Sequence, residues 1–178
     1  MTWSLILVLA LLVFLLVVIL GTFAYGGISA APWVPIWQRD VDRMLALAAI
    51  KPGEIVYDLG AGDGRIVITA AQKYHAQATG FEIAVLPYII GYIRIQLAGV
   101  QKKARLRYRN FYDQDLSAAD VIFTFLTPPA MEKLKSKFVK EIKPGARVVS
   151  YAFDIKGWEK TKIDKPNEKK AAVYLYQR

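Results

Sequence analysis

Hydrophobic and polar positions divide this chain into two unequal parts. Residues 3–20 are uncharged and almost entirely Leu, Val, Ile and Phe, and the first charge comes only at Arg39. A helix crosses a bilayer with about 20 apolar residues, so residues 1–28 are expected to form one N-terminal transmembrane helix. A cleaved signal peptide is disfavoured because no Lys or Arg precedes the run and Pro32 directly follows Ser29-Ala30-Ala31. Residues 29–38, stiffened by Pro32 and Pro35, are expected to form a juxtamembrane linker, and residues 39–178 a single domain. That remainder of roughly 140 residues is one domain's worth, with no room for a second core.

After the linker the apolar spacing changes. Residues 39–50 read as an amphipathic helix with Val41, Leu45, Ala48 and Ala49 inward. Strand signals at 54–59, 77–82, 105–109, 120–125 and 147–153 then alternate with helical ones at 66–74, 85–98 and 130–142. Such alternation predicts an α/β fold with a parallel sheet and helices on both faces. Two weaker strands, 158–163 and 171–176, flank the turn residues Lys165-Pro166-Asn167 and predict a C-terminal β-hairpin. The helix at 85–98 carries two apolar stripes where one would suffice: Leu86, Ile89, Ile90, Ile93 and Leu97, and offset from them Val85, Tyr88, Tyr92 and Ile95. One stripe covers the sheet. The other is expected to meet further core or the membrane surface, and the tyrosine-bearing stripe suits an interface.

Charge and composition narrow the partners. The net charge of +9 suits nucleic acid or anionic lipid, and the densest basic run is Lys102, Lys103, Arg105, Arg107 and Arg109. With an apolar span in the same chain and no nucleic-acid-binding motif, the bilayer is the expected partner and no nucleic acid is expected. Arg39, Arg43 and Lys51 follow the span and nothing basic precedes it, which places the C-terminal domain on the cytoplasmic side of a single-pass membrane protein. The chain has no Cys and one His, His75, so no metal site is expected.

The chemistry concentrates in Asp58-Leu59-Gly60-Ala61-Gly62-Asp63-Gly64, which follows the apolar Ile55-Val56-Tyr57 and precedes a helical run. Glycines there allow a tight turn and close approach of the backbone to a ligand, while the new helix presents unpaired N–H groups. Glu82 ends the next predicted strand, where a carboxylate can accept ribose hydroxyls. A dinucleotide fingerprint would carry a third glycine where Arg65 stands, which disfavours a nucleotide-dependent oxidoreductase.

This glycine loop followed by an acid resembles motif I and its successor in class I S-adenosyl-L-methionine (SAM) methyltransferases. More of the chain carries the likeness: Pro32-Trp33-Val34-Pro35, Lys51-Pro52-Gly53, Gly80-Phe81-Glu82, Pro128-Pro129 and Lys143-Pro144-Gly145. Residues 32–178 resemble the small membrane-associated protein-lysine methyltransferases that act on the mitochondrial adenine nucleotide carrier and the ATP synthase c-subunit, with their prokaryotic relatives. The resemblance implies a Rossmann-like seven-stranded sheet with SAM as cofactor. By it, Asp58, Gly60, Ala61, Gly62 and Gly64 line the methionine side, Glu82 the ribose, and Asn110 the adenine edge, with Tyr112 or Asp113 as the alternatives for that edge. Two positions depart from the family pattern: Ile36-Trp37 stands where a Thr is usual, and Asn110 where an Asp is usual.

Methyl transfer from a sulfonium is an in-line displacement and needs no covalent protein nucleophile. A lysine acceptor, with a reference pKa of about 10.4, loses its proton more easily in a desolvated pocket. Thr127, Pro128 and Pro129 follow a predicted strand at the edge beside the cofactor and are the candidates for positioning the acceptor; equally, the prolines suit the start of a helix. The implied activity is methylation of a lysine in a membrane protein. A lipid or quinone acceptor and a non-catalytic nucleotide-binding membrane protein are the alternatives.

Overall fold

The computed structural model describes residues 3–178, with the backbone alone at Ser29, so Met1 and Thr2 of the predicted span lie outside the described residues. Helix α1 (Trp3–Ser29) carries the apolar run. The rest is built from α2 (Gln38–Ala48), β1 (Ile55–Leu59), α3 (Arg65–Tyr74), β2 (Gln77–Glu82), α4 (Val85–Leu97), β3 (Ala104–Tyr108), β4 (Val121–Thr124), α5 (Pro128–Glu141), β5 (Arg147–Tyr151), β6 (Lys162–Asp164) and β7 (Val173–Gln177).

The seven strands form one sheet in the order β3-β2-β1-β4-β5-β7-β6. The first five are parallel, and β7 runs antiparallel between β5 and β6. The order reverses between β1 and β4, and ligands in such sheets bind where it does, beyond the carboxyl ends of the strands. All four residues of β4 are buried, as befits a strand covered on both faces. One face meets α2, α3 and α4 through Met44, Leu45, Val67, Ala70 and Ile95. The other meets α5 through Met131, Leu134 and Phe138, packed with Leu59, Ile122 and Val148.

Most predicted elements are present, and the differences have local causes. Helix α5 begins at Pro128, two residues early, because a proline at the first helical positions forfeits no hydrogen bond. Strand β6 is three residues instead of the expected 158–163: Trp158 stacks its ring between Phe138 and Tyr176 and so leaves the ladder. Strand β5 stops at Tyr151 because Ala152 adopts φ 68°. The stripes of α4 depart in part from the interface reading. Ile95 is buried and Tyr88 half-buried, whereas Leu86, Ile89, Ile93 and Leu97 are exposed, Leu97 to 83%. Gly91 lets α4 approach the sheet so closely that a Cβ there would lie 2.4 Å from Leu106, which turns Ile95 and part of Tyr88 inward while Tyr92, of the same stripe, stays exposed.

Candidate active site

From the end of β1 the chain passes through Gly60, Gly62 and Gly64 at φ 80°, 53° and 74° before entering α3. Only glycine adopts these values without strain. The N–H groups of Gly60 and Ala61 both donate to the Phe81 carbonyl at 3.0 Å, tying the loop to the end of β2. Glu82 completes the tie. Its Oε2 accepts the Gly62 N–H at 2.7 Å, and its Oε1 accepts those of Ile83 and Ala84 at 2.8 Å each. A carboxylate offers about four lone-pair sites, so about one is left for a ribose hydroxyl.

Asp58 is 3% exposed and lines a hollow with Gly60, Ala61 and Gly62. Burial, and then the charges of Glu82 and Asp63, push its pKa up to about 8. A buried carboxylate held in this way is relieved by a cationic ligand. Asp63 is the opposite case: burial acts to raise its pKa, but the hydrogen bonds and charge of Arg65 and the charge of Arg94 outweigh it and hold it below the ordinary value. Arg65 grips Asp63 with two bonds of 2.9 and 2.6 Å, and also donates to the Ile36 carbonyl. The residue that spoils a dinucleotide fingerprint is thus the one that fastens residues 32–37 to the glycine loop.

That segment, together with the last turns of α1, roofs the site. Phe23, Gly26, Ala30, Trp33 and Val34 face Gly60, Glu82, Ile83, Phe111 and Phe125 across a hollow of about 60 Å³, and Trp33 separates it from the hollow of about 40 Å³ beside Asp58. The Trp33 indole nitrogen lies 2.7 Å from where a Gly62 Cβ would stand. Ligand pockets usually start at about 300 Å³, so both hollows are smaller than a nucleoside site usually is.

The expected site residues do not all meet here. Asp58, Gly60, Ala61, Gly62 and Glu82 line the two hollows. Gly64 starts α3 and sits within van der Waals reach of Leu106 and Gly91, behind the loop. Asn110 accepts the Tyr112 N–H at 3.0 Å and lines a separate groove against Val18, Thr22 and Tyr25 of α1. Tyr112 stacks on Phe111, with Lys133 Nζ 3.9 Å from its ring centre. Thr127 donates its hydroxyl to the Ala30 carbonyl at 2.6 Å, fastening the roof at its other end. Pro128 and Pro129 open α5 and border a groove with Phe153 and Asp154.

Residues to which the sequence assigned no site role also shape the site. Ile83 and Phe111 line the larger hollow beside Glu82. Gly80 pairs with Asp58 in the sheet, and a Cβ there would come within 2.5 Å of both Ala61 and Leu106. A glycine inside a strand signals such an approach.

The lining suits a nucleoside with a cationic tail: a glycine loop that lets a ligand approach the backbone, a carboxylate with about one lone-pair site left open, a buried Asp with a raised pKa and aromatic walls. Comparison with known proteins points the same way. The ANTKMT methyltransferase domain model matches residues 58–162. A protein-lysine N-methyltransferase of Saccharolobus islandicus (strain REY15A) is 41% identical over 148 residues, covering 82% of this chain and 92% of the relative. The adenine nucleotide translocase lysine N-methyltransferase of Mus musculus is 33% identical, covering 72% of this chain and 56% of its own length. The chain thus spans nearly all of the first relative and about half of the second. Among solved structures, an RNA methyltransferase from Salinibacter ruber in complex with S-adenosyl-L-homocysteine is 33% identical with a TM-score of 0.77, covering 81% of this chain and 93% of that one.

Proposed function

Since this chain belongs to the ANTKMT methyltransferase family and is a SAM-dependent methyltransferase, we propose that its acceptor is a lysine amine of a membrane-embedded protein. In this reading α1 spans the bilayer and the catalytic domain lies on the cytoplasmic side. One observation carries it. The apolar helix that is long enough to cross a membrane is the same helix whose last turns roof the cofactor hollow, so the reaction site is held beside the bilayer without an intervening flexible tether. The named substrates of the mouse relative and of a Xenopus laevis lysine N-methyltransferase for the ATP synthase c-subunit support a membrane-protein acceptor.

When bound, SAM supplies an electrophilic methyl on its sulfonium. The glycine loop and Glu82 are proposed to hold its nucleoside, and Asp58 its ammonium. Phe23, Trp33, Phe125 and Leu126 keep water out, which lowers the pKa of an incoming amine and favours its neutral, nucleophilic form. Thr127 is proposed to act through the roof it fastens, with Pro128 and Pro129 fixing the neighbouring rim.

The Asp58 assignment predicts a pH dependence. Ligand-free Asp58 holds a proton below about pH 8, and binding a cation releases it. SAM affinity is therefore expected to fall by up to about tenfold per pH unit as the pH drops below 8. For stability the sign is opposite. The folded value of about 8 lies above the ordinary 3.8, so between the two the folded state holds the extra proton and ligand-free stability declines as pH rises through that window. Calorimetric titration at several pH values tests this, and Asp58→Asn should flatten the profile. A wild-type affinity independent of pH would remove Asp58 from the cofactor site.

The function itself is tested by incubating full-length protein and labelled SAM with membranes, soluble extract, extracted lipid and RNA. Label is expected in membrane protein. Transfer to lipid would select the lipid or quinone alternative, and transfer to RNA would align this chain with the name of its Salinibacter neighbour.

A further inference from the structure

The contacts of α1 trace a path over the sheet. Ala30 meets Thr127 at the end of β4, Gly26 faces Ile83 just past β2, and Thr22 accepts the Val85 N–H at 3.3 Å. Val18 and Tyr25 border a groove with Tyr108 and Arg109 at the end of β3. From Ser29, next to Ala30, back to Val18 the helix covers about 17 Å, and β4 to β3 is about 14 Å across. The helix therefore crosses the carboxyl ends of the strands from the sheet centre to its edge. Residues before Val18 project beyond β3, the terminal strand.

The flank under that projection has a distinctive surface. Between Glu82 and Asp113 the chain has six basic residues and no acidic one. Arg94 is taken by Asp63, while Lys102, Lys103, Arg105, Arg107 and Arg109 are exposed along β3 and the turn before it. Beside them Leu86, Ile89, Ile93 and Leu97 lie exposed on α4. Charges on an edge strand by themselves discourage strand addition. That function does not account for an adjoining apolar stripe, which water disfavours.

We infer that the β3 edge and the outer face of α4 form a second membrane contact that lies flat on an anionic lipid surface, the bases at the headgroups and the α4 stripe in the interfacial layer. The inference rests on the reading of α1 as the span, which by its path turns this flank toward the bilayer. Basic residues near an anionic leaflet are attracted to it, and an apolar face beside them adds burial. Two contacts fix the rotation of the domain about α1, and with it the direction in which the roofed hollow opens.

The chain contains no Cys, so single labels can be placed at will. Full-length Leu97→Cys and Arg107→Cys, with Glu168→Cys as control in the loop between β6 and β7 at the opposite edge, would each carry an environment-sensitive fluorophore. Each is reconstituted into phosphatidylglycerol–phosphatidylcholine vesicles bearing a headgroup quencher. At least threefold stronger quenching at 97 and 107 than at 168 is expected. Equal quenching in protein that floats with the vesicles would overturn the second contact and leave the span intact, while protein that does not float would overturn both. Shielding at 97 and 107 that persists in detergent and rises with protein concentration would give the face to a second copy of the chain. Shielding by added RNA in preference to vesicles would give it to nucleic acid; either result contradicts the lipid contact.

Discussion

Glu82→Ala is expected to lower SAM affinity at least a hundredfold and to destabilise the ligand-free domain as well. The carboxylate accepts three backbone N–H groups, one of them from Gly62 in the cofactor loop. Its removal takes away the proposed ribose acceptor and releases the loop proposed to face the rest of the ligand. Hydrogen bonds to a charged group contribute about 1.5–3 kcal/mol each, and a buried donor left unpaired costs about 1–3 kcal/mol. At about 2–4 °C per kcal/mol for a chain of this size, the melting temperature should drop by roughly 5–10 °C. Glu82→Gln keeps an acceptor and the side-chain shape and should fall between wild type and Ala. Calorimetry and thermal melts on the three proteins read both effects. Unchanged SAM affinity in the Ala variant would take the ribose site away from Glu82.

The second large effect concerns the roof. Half of the residues lining the larger hollow belong to the segment from Phe23 to Val34, and its bonds from Thr127 to Ala30 and, two residues past its end, from Arg65 to Ile36 end on backbone carbonyls. A truncation beginning at Gly21 removes the apolar run but keeps all of these. It should bind SAM within about threefold of the full-length protein and lose its association with vesicles. A truncation beginning at Gln38 removes the roof, and its SAM affinity should fall at least a hundredfold, about 2.7 kcal/mol. Comparing the two by titration separates anchor from roof. Equal affinity in both would reduce residues 21–37 to a tether.

The sheet was legible in the sequence because the apolar runs, glycine turns and helical spacings alternate without interruption from Glu54 to Tyr151. The glycine loop and Glu82 were legible for a local reason: Gly60 and Ala61 meet Phe81, and Gly62 meets Glu82, through backbone bonds that require the very spacing the motif preserves. The roof was not legible. The hydrogen bonds that fasten residues 21–37 end on the Ile36 carbonyl, held by Arg65, and the Ala30 carbonyl, held by Thr127, and carbonyls carry no side-chain signature; the Trp33 ring over Gly62 is a tertiary contact that local spacing does not announce. Arg65 was visible only as a missing glycine, and its partner carbonyl lies 29 residues earlier in the chain. The orientation of α4 was hidden for a related reason. Two apolar stripes compete for the sheet, and the choice between them is made by the close approach at Gly91, a tertiary contact with Leu106 and Asp63.

Modification of lysine on a membrane-embedded protein, next to the enzyme's own anchor, is the reading on which the rest depends. Native membranes incubated with the full-length enzyme and SAM, with the Glu82→Ala variant in parallel, allow methylated residues to be mapped by peptide mass spectrometry. Methyl-lysine is expected on an integral membrane protein, at a residue near the cytoplasmic headgroup layer, appearing with the wild-type enzyme and absent with the variant. Methyl-lysine confined to soluble proteins, or methylation of another residue type, would contradict it.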